Sequence, residues 1–307
     1  MEEPLIECVP NFSEGRRPEV VEAIVAAMRV EGVRLLDWSL DADHNRSVVT
    51  IAGAPPAVME SAVRGAGRAA ELIDLTAQEG VHPRIGAADV IPFVPIRGVG
   101  LEHCVLLARQ AGMEIWKRWL VPVYFYEAAA ARPDRAMLED VRRGQFEGLR
   151  DAVQREPARR PDIGGPGLHP TAGASAVGAR RFLIAFNLYL NTADVAVARA
   201  VAREIRDSGG ALAAVKAMGV TAHGQAQVSM NLTDFTRTPV GQAFAAVQEK
   251  AERHGAKPVR AELIGLIPEA ALERNSDWMR LLDGFQEEEK VLERRLERPL
   301  PWPGVRS

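Results

Sequence analysis

The chain has 307 residues, 47% of them hydrophobic, which is material for about two cored domains. The net charge is −3, and the 38 Lys and Arg are strewn along the chain rather than gathered in runs, which argues against a nucleic-acid surface. Cys8 and Cys104 have no metal-type spacing and suit a reducing, cytoplasmic setting. No apolar stretch approaches the ~18 residues of a membrane span, and the opening Met-Glu-Glu-Pro lacks the character of a signal peptide.

In chain order, Leu5 to Pro10 reads as a strand and Pro18 to Glu31 as a helix, with apolar Val20, Val21, Ile24, Val25 and Met28 and a proline near its start. Val33 to Trp38 and Ser47 to Ala52 read as strands, Pro56 to Asp74 as an Ala-rich helix, and Val90 to Val94 as a strand. This is the split β-α-β-β-α-β order. A helix from about Leu101 to Trp119 and a strand over Pro122 to Tyr126 extend it. Pro157 to Gly173 is rich in Pro and Gly without apolar periodicity and reads as a loop or linker. The same order then returns: strand Phe182 to Leu190, helix Ala193 to Asp207, strands Leu212 to Met218 and Gln225 to Leu232, helix Pro239 to Arg253, strand Val259 to Ile267. Asp277 to Arg298 reads as one charged terminal helix docking by its apolar face, and Leu300 to Ser307 as an irregular tail.

The expected fold is therefore α/β (α+β), with two related ferredoxin-like modules, their sheets facing a shared cleft and their helices outside. The expected boundaries are 1–160, a linker at 161–175, and 176–307.

Four segments carry candidate chemistry. Asn11 and Ser13 lie in a polar turn after the first strand, where ordinary turn and capping roles compete with ligand contact. Asp41, Asp43, His44, Asn45 and Arg46 link the second and third strands. The two carboxylates there are suited to orienting an imidazole, and less well to a mixed metal site. His82, before a proline and beside Arg84, is suited to moving a proton next to an anionic substrate. The run Gly164, Gly165, Pro166, Gly167, Leu168, His169, Pro170, Thr171, Ala172 and Gly173 allows close backbone approach to a flat ligand, and no Walker-type lysine follows it. Arg180 and Arg181 could reach back toward an anion. His103, His223 and His254 read as structural or solvent-facing, and Trp116 and Trp119 as core.

Taken together, Cys8 to Gly15, Asn45 to Val48, His82 to Val90, Val177 to Asn187, Ala226 to Leu232 and Gly265 to Pro268 closely resemble the formiminotransferase domain of glutamate formiminotransferases, over about residues 5 to 295. The resemblance implies transfer of the formimino group of N-formimino-L-glutamate to N5 of tetrahydrofolate, the co-substrate, in histidine breakdown. It implies two α/β subdomains with a folate tunnel between them, a homodimer, His82 as catalytic residue and Gly164 to Gly173 as folate-binding segment. It also implies that the cyclodeaminase activity of the longer members is absent here.

The chemistry suits a single imidazole near its ordinary pKa of about 6.5, taking a proton from N5 and giving it to the departing glutamate nitrogen. Asp41 or Asp43 would fix its tautomer, Arg46 and Arg84 would receive carboxylates, and no metal is required. The competing readings are a sister enzyme using formylglutamate or formiminoglycine, a metal-dependent hydrolase built on Asp41, Asp43, His44 and His82, and a folate-binding protein without catalysis.

Overall fold

A computed structural model describes residues 3–80, 82–206 and 211–304. The chain divides into two units, Met1–Arg180 with Pro299–Ser307, and Arg181–Arg298. The first runs β1 (Leu5–Cys8), β2 (Asn11–Phe12), α1 (Pro18–Ala27), β3 (Val33–Asp41), β4 (Arg46–Gly53), α2 (Pro55–Leu72), β5 (Ala88–Arg97), α3 (Leu101–Trp119), β6 (Val123–Glu127), α4 (Leu138–Val141), α5 (Gln145–Arg155) and β7 (Ser175–Ala179). β1 and β2 are two halves of one strand interrupted at Val9-Pro10, and both lie antiparallel between β4 and β5. The sheet runs β3, β4, β1/β2, β5, β7, β6, with β7 parallel to both of its neighbours.

Alternation along the strands assigns the faces. Ile6, Cys8, Val49, Ile51, Ile91, Phe93 and Val177 join a core with the apolar stripes of α1, α2 and α3. The opposite face carries a smaller core, where Val90, Tyr124, Tyr126 and Ala176 meet Val141 of α4 and Leu149 and Val153 of α5. Close helix packing needs small residues: a Cβ on Gly67 of α2 would lie 2.0 Å from the Trp119 indole of α3.

The second unit holds β8 (Ile184–Leu190), α6 (Val195–Ile205), β9 (Val215–Ala222), β10 (Gln225–Leu232), α7 (Val240–Arg253) and β11 (Pro258–Ile264), followed by α8 (Asp277–Arg280), α9 (Glu287–Lys290) and α10 (Leu292–Glu297). Its strands are ordered β11, β8, β10, β9, all antiparallel. Counted within each β-α-β-β-α-β set, both sheets follow the order fourth, first, third, second, so the repeated element order is matched by a repeated pairing order. The Asp207 end of the expected helix and residues 305–307 of the expected tail lie outside the described residues.

Two expectations are corrected. The segment read as a linker belongs to the first unit: Asp162 and Ile163 donate backbone N–H groups to the Val123 carbonyl, and β7 occupies the sheet between β5 and β6. The unit boundary therefore falls at Arg180/Arg181 and not at 161–175. The terminal helix is three short helices, because the chain follows the otherwise unpaired edge of β11. Ala261 donates to the Leu281 carbonyl, Ile267 to that of Lys290, and Leu292 returns a bond to Ile267. Satisfying that edge outweighs helix continuity, and Gly284 turns the chain with a φ of 61°.

One glycine contact holds two loops of the first unit against each other. Gly173 has a φ of 68°, and a Cβ there would sit 2.1 Å from the Ile85 carbonyl oxygen. Gly173→Ala should lower stability by at least ~1–2 kcal/mol, the cost of the left-handed backbone alone, with a further loss from loop separation. Urea unfolding would read this directly, and an unchanged midpoint would contradict the assigned contact.

Candidate active site

The site grows from the hairpin of β3 and β4. Asp41 closes β3 opposite Arg46, and the turn between them is tightened by Asn45 at a φ of 49°. The Asp41 carboxylate folds over that turn. Oδ1 accepts the His44 backbone N–H at 2.9 Å, and Oδ2 lies 2.6 Å from His44 Nδ1. The hydrogen bond to Asp41 holds the His44 imidazole above its ordinary pKa against the effect of burial. Burial also opposes ionisation of Asp41, but the bonds from His44 prevail and keep that carboxyl below its usual range.

Asn45 fastens this hairpin to its neighbours. Its Oδ1 accepts Gly15 N–H at 3.0 Å and its Nδ2 donates to the Glu79 carbonyl at 2.7 Å. Glycines allow the approach. A Cβ on Gly15 would lie 2.2 Å from the Asp41 carbonyl oxygen, and one on Gly80 would lie 2.7 Å from that of His44. The loop leading to His82 is thereby pressed against the hairpin turn.

His82 then meets Arg46, whose Nη1 lies 2.9 Å from His82 Nε2. A guanidinium only donates, so Nε2 is the acceptor and the ring is the neutral tautomer with its proton on Nδ1. The His44 ring stands edge-on at 6.2 Å between centroids. Burial first, then the charges of Arg46, Arg142 and His44, hold the His82 imidazole far below its ordinary pKa. The expected imidazole titrating near 6.5 is therefore corrected: burial, reinforced by neighbouring cations, keeps it unprotonated.

No motif in the sequence marks Arg142, which completes the site. It caps the short helix α4 and pairs with Asp89 of β5, whose other oxygen accepts Ile85 N–H at 2.8 Å. Burial and the Arg142 charge together lower the Arg46 pKa to about 10, so Arg46 remains a cation at neutral pH. Arg46 has no carboxylate within ion-pair distance among the described residues. The Nε atoms of both arginines are sealed from solvent without a hydrogen-bond partner. Such orphaned guanidinium donors are costly to bury unless something accepts from them.

Other sequence candidates fall elsewhere. The expectation that Asp41 or Asp43 fixes the His82 tautomer is not met, because Asp41 is spent on His44; Asp43 is exposed on the same turn. Arg84 is not an open anion receiver either. Its fork already holds Glu147, at 2.8 and 3.0 Å, and its Nε and Nη2 reach the side chain and carbonyl of Gln78. Ser13 donates to the Gly86 carbonyl at 2.7 Å and Asn11 to that of Val9, so both brace backbone. Arg180 sits by the buried Glu7. Burial raises the Glu7 pKa to about 7, and Arg180 opposes the rise. Arg181 begins the second unit, where its charge acts on Asp234. Asp41, Asp43, His44 and His82 do not converge as ligands, and no three metal-ligating side chains do so among the described residues.

The glycine-rich segment runs beside the His82 loop. Ala87 N–H donates to the Ala172 carbonyl and Ala174 N–H to that of Ile85, both at 2.9 Å. His169 pairs with Gly173 through the backbone, and His169 Nδ1 accepts Ala172 N–H at 3.0 Å. Gly164, Gly165 and Pro166 are exposed, with φ of 80° and 105° at the two glycines, and Gly164 lies against the Trp116 ring. Leu168 packs partly into the core, while Gly167 has only the Gln154 side-chain amide near a built Cβ. Pro170 is exposed, and the Thr171 carbonyl accepts Leu75 N–H.

A neutral imidazole beside an unpaired arginine, next to a loop of bare backbone, is the equipment of a proton-transferring site for anionic substrates. Residues 5–180 match the model of the formiminotransferase domain, N-terminal subdomain, and residues 185–294 that of the formiminotransferase domain. The chain belongs to the formiminotransferase family. It is 42% identical to a glutamate formimidoyltransferase of Thermoplasma acidophilum, over 96% of this chain and 98% of that one. It is 40% identical to a glutamate formimidoyltransferase of Streptococcus pyogenes, over 95% and 98%. It is also 39% identical to a formimidoyltransferase-cyclodeaminase of Mus musculus, over 87% of this chain and 51% of that one.

Because Arg84 is locked inside the protein, Arg84→Lys should act on stability. It would strand the Gln78 oxygens and break the two-point contact to Glu147, at about 1–3 kcal/mol. The expected result is a lower thermal midpoint with the KM of both substrates shifting together. An unchanged midpoint with a raised KM for one substrate would make Arg84 a binding residue after all.

Proposed function

We propose that the chain transfers the formimino group of N-formimino-L-glutamate to N5 of tetrahydrofolate, giving 5-formiminotetrahydrofolate and L-glutamate as a step of histidine degradation. One observation carries this reading: a neutral imidazole, His82, is held by an arginine that lacks a carboxylate of its own. Acyl-type transfer between two amines needs one group that first accepts and then returns a proton, and a substrate with carboxylates needs a cation at hand. His82 supplies the first, accepting the N5 proton as the new C–N bond forms and returning it to the glutamate nitrogen as the old one breaks. Arg46 supplies the second. The formimidoyltransferase relatives, matched over nearly their full length, support the same substrates.

Tetrahydrofolate fits the segment from Gly164 to Gly173. Its exposed glycines leave backbone open to a flat ring, and its far end is stitched to the His82 loop. No metal enters the proposed chemistry. No helix among the described residues is long and apolar enough to cross a membrane. A cytoplasmic homodimer acting on small molecules, without nucleic acid or membrane as partner, completes the proposal.

His82→Ala should lower kcat by about 10²- to 10⁴-fold with the tetrahydrofolate KM little changed, because proton transfer acts in the transition state. Since the free enzyme keeps His82 unprotonated, kcat/KM of the unaltered enzyme should not fall through protonation of His82 between pH 7.5 and about 6, the range over which an ordinary imidazole charges. Steady-state kinetics across that range check both. Near-normal turnover in a folded His82→Ala variant would remove His82 from the mechanism.

A further inference from the structure

The hydrogen bond that identifies the site also blocks it. With its proton on Nδ1, His82 has one lone pair to offer, on Nε2, and Arg46 Nη1 occupies it at 2.9 Å. In that arrangement the ring has no free position with which to accept a proton from an attacking amine. We propose that Arg46 and Arg142 form the seat for a carboxylate of the formimino donor, and that filling this seat draws Arg46 off His82 Nε2 and so frees the base only when the donor is bound. The inference rests on the formimino-transfer reading and deepens it: Arg142 becomes a positioning and specificity residue, and Arg46 a latch as well as a binder.

Four observations converge. Arg46 carries its charge without a carboxylate partner and spends one donor on a neutral ring. Its Nε and the Nε of Arg142 are buried and unpartnered, a cost that an oxygen acceptor reaching them would relieve. The two guanidinium groups lie close enough for Arg142 to depress the Arg46 pKa, a repulsion that an intervening anion would reverse. The remaining cation of the His82 loop, Arg84, is committed to Glu147 and Gln78.

The preference of Arg46 for a carboxylate over an imidazole follows from charge. A guanidinium bound to a carboxylate gains the attraction of opposite charges and a two-point fork, neither of which a single neutral imidazole nitrogen offers. The donor thus has the differential affinity that a ligand needs to shift a two-state contact.

The groups facing His82 set the sign of the effect. The β3–β4 hairpin contributes His44 and Arg46, and the C-cap of α4 contributes Arg142, each a charge that acts on the ring. Asp41 and Asp89 are already paired with His44 and Arg142. After burial, Arg46 and Arg142 weigh most against a proton on His82. An anion between them would cancel that field and open Nε2 at once, raising the proton affinity of His82 in the complex.

L-glutamate, the product amine with both carboxylates, probes the seat without turnover. The full-length enzyme with isotope-labelled histidine would be titrated by NMR with and without saturating L-glutamate. His82 should take up its proton about 1 to 3 pH units higher in the complex, the span expected when a neighbouring charge is neutralised. Arg142→Gln should abolish that difference and raise the KM for formiminoglutamate by ~10- to 100-fold, the scale of a lost charged contact. Its tetrahydrofolate KM should stay within about two-fold, since the segment assigned to folate is untouched, and Arg142→Lys should recover part of the loss.

Failure of L-glutamate to bind, or saturation that leaves the His82 titration where it was, would overturn the proposal. So would recovery of the donor KM in the Asp89→Asn/Arg142→Gln double variant, because the single variant would then have acted by stranding Asp89. An enzyme that binds L-glutamate with the expected shift yet does not transfer formimino groups to tetrahydrofolate would instead count against the reaction and leave the seat standing.

Discussion

The contact between Arg46 and His82 governs the rest of the site. It fixes the tautomer of the ring, adds to burial in keeping the ring neutral and leaves a guanidinium without a carboxylate at ion-pair distance in a partly enclosed position. Proteins seldom tolerate an unpaired buried cation unless a partner arrives from outside. The same contact ties the base to the hairpin, because Arg46 is the first residue of β4 and sits opposite Asp41.

Rigidity comes from backbone, and at several points from the absence of a Cβ. Gly15 and Gly80 let two chain segments close on the Asp41–Arg46 turn, and Asn45 ties them with three hydrogen bonds. Gly173 does the same where the glycine-rich segment meets Ile85. Arg84, Gln78 and Glu147 hold the far side of the His82 loop against α5. The loop that carries the imidazole is thus fastened on both sides, and its mobile chemistry is confined to side chains.

Much of this was legible in the sequence. Hydrophobic periodicity located nearly every strand and helix of the two β-α-β-β-α-β sets, because each buries one face only. His82, Arg46 and the glycine-rich run stood out by residue type. Roles set by pairing did not: Asp41 reads as a partner for His82, and only the folded turn brings it to His44 instead. Arg84 next to His82 reads as a substrate arginine, yet its partner Glu147 lies 63 residues away. Arg142 lies in a stretch without a motif of its own, although Phe146, Leu149 and Val153 just beyond it are spaced as the buried face of a helix. Asp277 to Arg298 reads as one helix because its charge pattern carries no sign that β11 offers an open edge.

The central claim is that the site passes a formimino group from one amine to another. Its most direct measurement uses formiminoglutamate labelled with carbon-13 at the formimino carbon, incubated with enzyme and tetrahydrofolate and followed by NMR. The account predicts that the label moves to N5 of the folate in step with release of L-glutamate, and that without tetrahydrofolate the label stays on the donor. Label released as formate or formamide at the same rate with or without tetrahydrofolate would show hydrolysis and contradict the account.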